Sequence, residues 1–130
     1  MHASGQRCRS AVGSVCLLSI ALFFLAGMAA AQQSQREKMD AFAKCLTSKK
    51  ATMYGSSLCP HCKDQRKMFG DSFKYIHYVE CSPFAMPQDT AACKFAGIRF
   101  VPTWIFGNGD RLVGIQSLKQ LSDKTGCTLP

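Results

Sequence analysis

Apolar and polar positions follow blocks of different period along the 130-residue chain. An uncharged apolar run extends from Ala11 to Ala31. From Gln35 to Lys50, Met39, Phe42, Ala43 and Leu46 recur at the spacing of an amphipathic helix. Ala51-Thr52-Met53-Tyr54, stopped by Gly55-Ser56-Ser57, predicts a short buried strand and a loop. Pro60 suits the first position of a helix that runs to about Phe69, ahead of Gly70-Asp71. Aromatic and β-branched residues from Phe73 to Glu80 predict a second strand. Pro83 and Pro87 mark a loop, and Gln88 to Ala96 predicts a helix closed by Gly97. Thr103–Phe106 and Arg111–Gly114 flank Gly107-Asn108-Gly109-Asp110, a hairpin signal. A last helix is predicted from Ser117 to about Thr125, with Leu118 and Leu121 on one face and Gly126 as its stop. The order α-β-α-β-α-β-β-α fits an α/β fold, a small central sheet flanked by helices on both faces.

The first apolar run reads differently from the rest. Arg7 and Arg9 precede it, and it closes on Ala29-Ala30-Ala31 before polar Gln32-Gln33-Ser34-Gln35. A basic start, an apolar middle and small residues at the end make a secretory signal peptide. The other reading is an uncleaved anchor, because a bilayer needs roughly 17–25 apolar residues. The expected organisation is a signal peptide over 1–31, a linker over 32–38 and one domain over 39–130, exported to the periplasm or elsewhere in the cell envelope. Loss of Arg7 and Arg9 with the leader lowers the formal net charge from +8 to +6. The remaining basic residues are scattered and form no aromatic-interleaved stripe, so no nucleic-acid partner is expected.

The cysteines carry the chemistry. Of eight, Cys8 and Cys16 lie in the leader, leaving Cys45, Cys59, Cys62, Cys81, Cys93 and Cys127. An even number in a small exported domain reads as disulfides, though spacing alone leaves the pairing open. Ser57-Leu58-Cys59-Pro60-His61-Cys62 lies between the first predicted strand and its helix. Residues three apart at a helix start share a face, close enough for a disulfide with Cα atoms about 5–6 Å apart. Cys59 falls at the helix N-terminus, where free N–H groups and the helix dipole favour a thiolate. Cys62, one turn in, is expected to be more buried and to act as the resolving thiol. An inert disulfide and a zinc site are the competing readings. Structural zinc usually takes two such pairs, and no second C-x-x-C exists here, so neither metal nor other cofactor is expected. His61 can donate to, or when protonated pair with, the Cys59 thiolate. His77 reads as a strand-surface residue.

The strand–CxxC–helix arrangement and Val101-Pro102-Thr103, with Pro102 43 positions after Cys59, resemble the thioredoxin superfamily. The resemblance implies a cis Val101–Pro102 bond beside the disulfide, with the Val101 backbone presented to substrate polypeptide. Proline is the residue for which a cis bond is cheap. A bare Val-Pro also fits the start of a strand. Phe42-Ala43-Lys44-Cys45-Leu46-Thr47, Met53-Tyr54-Gly55, Cys59-Pro60-His61-Cys62-Lys63-Asp64-Gln65, Tyr78-Val79-Glu80-Cys81 and Thr125-Gly126-Cys127 narrow it. Over nearly all of 39–127 they resemble the thioredoxin-like domain fused to, or partnered with, bacterial and plastid vitamin K epoxide reductase homologues. That likeness implies transfer of oxidising equivalents between exported thiol-containing clients and a quinone-linked membrane enzyme. The enzyme is expected here as a separate oxidase of the vitamin K epoxide reductase or DsbB type.

The Pro60-His61 dipeptide is the one found in strongly oxidising DsbA proteins. Cys81 and Cys93 recur in the subgroup, which implies a staple worth about 3 kcal/mol, with an electron relay as the alternative. Pairing Cys45 with Cys127, on the first and last helices, would tie both ends to the body. Two departures stand out. Leu58 replaces the usual aromatic residue. Met53 stands where many thioredoxins keep a buried carboxylate, leaving no evident base for Cys62. The function expected is a dithiol oxidase. The alternatives are a thiol reductase or isomerase serving cytochrome or metal-site maturation, and a soft-metal carrier using Cys59, His61 and Cys62.

Overall fold

The computed structural model describes residues 11–130. The chain divides into two units, Met1–Gln35 and Arg36–Pro130, and the second contains all the strands. The elements are α1 (Ala11–Ser48), β1 (Thr52–Gly55), α2 (Pro60–Phe69), a 3-10 turn (Gly70–Tyr75), β2 (His77–Glu80), α3 (Pro87–Phe95), β3 (Thr103–Ile105), β4 (Arg111–Val113) and α4 (Leu118–Thr125). The leader expected over 1–31 falls partly on residues 1–10, outside the described residues, and otherwise on the start of α1.

The four strands form one mixed sheet in the order β2-β1-β3-β4. β1 runs parallel to β2, with Gly55 opposite Glu80, and antiparallel to β3, with Met53 opposite Trp104. The β3–β4 hairpin turns where Gly109 takes a positive φ of 85° and Phe106 N–H donates to Asp110 O. Met53 and Trp104, both fully buried, meet Phe42 and Leu46 of α1, Cys62 and Phe69 of α2, and Leu121 of α4. Removing one such side chain, as in Leu46→Ala, costs roughly 2–5 kcal/mol. Across the sheet, α3 packs against β2.

Two elements differ from the sequence pattern. Phe73–Tyr75 is 3-10 turn and not strand. Gly70, at φ 53°, ends α2 and swings the chain round, and Phe73 packs on the core from that turn. Residues 32–38, expected as a linker, continue the helix α1. At the other end, α4 begins with a capping box: Ser117 Oγ accepts from Gln120 N–H, and Gln120 Oε1 accepts from Ser117 N–H. It ends at Gly126, which is left-handed at φ 73°.

Candidate active site

The site is assembled where β1 gives way to α2. Cys59 is the N-cap of α2 with extended backbone (φ −84°, ψ 122°), and Pro60 occupies the first turn without an N–H to leave unpaired. No side chain caps this helix, so its first N–H groups remain available to the Cys59 sulfur. The backbone N–H of Cys62 is the main cause that lowers the Cys59 thiol below its ordinary value. Burial opposes it as the next largest influence, and the Cys62 thiol and the His61 N–H add to the lowering. Cys59 is half-buried, and its Sγ lies 3.6 Å from the Val101 carbonyl oxygen. The Val101–Pro102 bond is cis.

Cys62 behaves in the opposite way. It is fully buried, and burial pushes its thiol up to about 11, with the Ser56 N–H at 3.4 Å pulling modestly downward. Cys59 and Glu80 push it up further. Both cysteines are free thiols in this structure. One half-buried and activated thiol beside one buried and protonated thiol is the division of labour that disulfide exchange requires.

Glu80 was not singled out in the sequence. It ends β2, and the parallel register sets it opposite Gly55, beside the loop that leads to Cys59. Its carboxylate accepts the Ser57 N–H on both oxygens at 3.0 Å, the Ser82 N–H at 3.0 Å and the Tyr78 hydroxyl at 3.0 Å. Burial raises this carboxyl, but the hydrogen bonds from Ser57, Tyr78 and Ser82 outweigh it and hold the group below the usual carboxylate value. Met53, where a buried carboxylate was looked for, is core, and the carboxylate whose charge acts on Cys62 is Glu80, from the next strand. Gly55 makes this approach possible. A Cβ there would lie 2.7 Å from Tyr78 Cε2 and 3.3 Å from Cys62 Sγ.

A second buried network aligns α2 with the Pro102 turn. Gln65, one turn after Cys62, is fully buried. Its Oε1 accepts from Gln116 N–H at 2.7 Å and Trp104 Nε1–H at 3.3 Å, while its Nε2 donates to Gln116 O at 3.0 Å. Gln116 Nε2 donates to Gly114 O, and Gly114 N–H donates to Pro102 O at 2.8 Å. With these partners a buried amide is satisfied and fixes geometry.

His61 is exposed, and its side chain has no hydrogen bond among the described residues; it reaches Cys59 through its backbone N–H. His77 is on the surface, its Nδ1 3.1 Å from Thr52 Oγ1. Cys45 is bonded to Cys127 and Cys81 to Cys93, each with Cα atoms 5.9 Å apart. Cys81 N–H donates to Gly55 O, so the second disulfide abuts the active-site loop. Among the described residues, no three His, Cys, Asp or Glu side chains gather as a metal site would require.

No protein-family model matches the chain. Over 93 residues, 68% of this chain, it is 42% identical to the thiol-disulfide oxidoreductase LTO1 of Arabidopsis thaliana, and it spans 24% of that protein's length. The crystal structure of the glutaredoxin from Methanosarcina mazei Go1 aligns over 58% of this chain and 77% of its own, with 25% identity and a TM-score of 0.42. The CxxC at the head of α2 faces the cis-proline turn before β3, with Cys59 outermost and Cys62 behind it.

Proposed function

We propose that this thioredoxin-like domain is an exported dithiol oxidase that donates the Cys59–Cys62 disulfide to client proteins. A client thiolate attacks Cys59 Sγ, the Cys59–Cys62 bond breaks, and Cys62 leaves and takes up a proton. The second client thiolate then attacks the client sulfur of the mixed disulfide and expels Cys59 as a thiolate. The client departs with a disulfide, and two electrons remain on the Cys59/Cys62 dithiol. A quinone-linked membrane oxidase takes up those electrons; this partner and the export rest on the sequence resemblance and the leader.

One observation carries the reading: the groups that lower the Cys59 thiol act on a thiolate, a species present only after reduction. Stabilising it favours the reduced protein, which makes the disulfide a stronger oxidant and Cys59 a better leaving group. Cys62→Ser should accumulate mixed disulfides with exported clients in cells, whereas Cys59→Ser should trap none. Equal trapping by both variants would refute the assignment. Glu80 supports a second reading, a reductase or isomerase, because it gives the Cys62 thiol a carboxylate neighbour.

A further inference from the structure

We infer that the recess beside the Val101–Pro102 turn binds a carboxylate of the client polypeptide, so that the domain favours thiols flanked by acidic residues. The inference rests on the oxidoreductase reading and adds a substrate preference to it.

The recess is open and holds about 180 Å3. Its walls come from both sides of the turn, Ile98, Arg99 and Phe100 before it and Thr103 after it, and from Arg111 and Val113 of β4. Thr103 Oγ1–H donates to Phe100 O at 2.7 Å, and Gly114 N–H donates to Pro102 O, so these walls are tied to the turn itself. The turn also carries the Val101 carbonyl, 3.6 Å from Cys59 Sγ. Val101 follows Phe100, which lines the recess, and precedes the cis Pro102, so the turn that meets Cys59 is continuous with the recess wall.

The charge in the recess is uncompensated. Arg99 and Arg111 are exposed, and neither has an ion pair or side-chain hydrogen bond among the described residues. No Asp or Glu occurs between Thr90 and Gly109. The adjacent acid, Asp110, is engaged by Lys124 and Asn108 instead. The remaining walls are apolar and open, with Phe100 69% and Val113 60% exposed. Two guanidinium groups over an apolar floor match a carboxylate on a short aliphatic stem, because the fork of N–H donors fits carboxylate oxygens while the stem covers the floor.

Dithiol peptides that differ only in a Glu, Gln or Lys two residues before or after the cysteines test this. The full-length oxidised chain is mixed with each peptide, and reduction of Cys59 is followed by acid quench and alkylation. Rates are referred to the same peptides reacting with glutathione disulfide, since a flanking charge also alters the thiol itself. The Glu peptide should exceed the Gln peptide by about threefold to tenfold in kcat/KM, the worth of one or two exposed ion pairs. The Lys peptide should fall below it. The Arg99→Gln/Arg111→Gln double variant should erase the difference while leaving the Gln peptide rate unchanged. High salt should compress the difference in the native chain. Equal referred rates for the three peptides, or a preference that survives in the double variant, would overturn the inference and leave the oxidoreductase reading standing. A double variant that changes only retention on phosphatidylglycerol vesicles would overturn it in favour of a membrane face. Failure to oxidise any peptide would overturn both readings.

Discussion

Cys62 should be almost silent toward alkylating agents at neutral pH, and Glu80 should be part of the reason. The perturbation is Cys59→Ser, which leaves Cys62 as the free thiol of the active-site pair, read at its own peptide. In the native site the Cys62 thiol is pushed up to about 11, by burial first, with Cys59 and Glu80 adding and the Ser56 N–H opposing. Against a free thiol near 8.5, that leaves about three-hundredfold less thiolate at pH 7. Removing Cys59 takes away its share, so the midpoint in the variant should fall part of the way but stay above 9. Adding Glu80→Gln removes a second contribution of the same sign and should lower the midpoint again. The assay is iodoacetamide alkylation followed by mass spectrometry from pH 6 to 11.5, with Cys62→Ser as the comparator that reports Cys59. Cys59 should titrate below free cysteine, in the direction its helix N–H partners pull it. A Cys62 midpoint at or below that of free cysteine, or one that Glu80→Gln leaves unmoved, would refute the reasoning.

Three further outcomes follow from the same geometry. Loop-closure entropy makes the Cys45–Cys127 bond, spanning 82 residues, the larger stabiliser at about 4.5 kcal/mol, against about 3 kcal/mol for Cys81–Cys93, which spans 12. Urea unfolding of the paired alanine variants reads the order, and turnover at Cys59 should survive loss of Cys81–Cys93 in the folded fraction; lost turnover with intact stability would point to a relay. Gly55→Ala should lower stability by about 1–3 kcal/mol, because its Cβ meets Tyr78 at 2.7 Å, and an unchanged melt would show that the tyrosine moves freely. Glu80 has a folded value below its unfolded one, so its contribution is complete above about pH 4.5 and is lost as pH falls through the folded value. Glu80→Gln should accordingly flatten the stability curve below pH 4.5, and parallel curves would contradict that.

Local signals made the frame of the molecule legible. Apolar residues at helical spacing marked the domain end of α1, Gly55-Ser56-Ser57 marked the end of β1, and Pro60 marked the first turn of α2. The hairpin glycines placed β3 and β4 correctly to within a residue. Phe73–Tyr75 was misread because aromatic enrichment signals burial as much as it signals strand, and here the burial is served from a 3-10 turn. Glu80 carried no local signal at all. Its role depends on the parallel register of β1 and β2, a pairing between residues 25 apart, and on the absence of a side chain at Gly55. Gln65 was hidden for a similar reason: a polar residue in an amphipathic helix reads as solvent-facing until its partners, Trp104 and Gln116, are brought to it.

The account turns on whether this site is built to release a disulfide or to break one, and the reduction potential of the Cys59–Cys62 couple decides it. Equilibration with glutathione buffers at pH 7, followed by counting of alkylated Cys59, gives the value. Because the N-terminal N–H groups of α2 stabilise only the reduced Cys59 thiolate, the potential should lie at about −200 mV or higher. A value at or below about −270 mV, that of thioredoxin, would contradict the oxidase reading and favour the reductase.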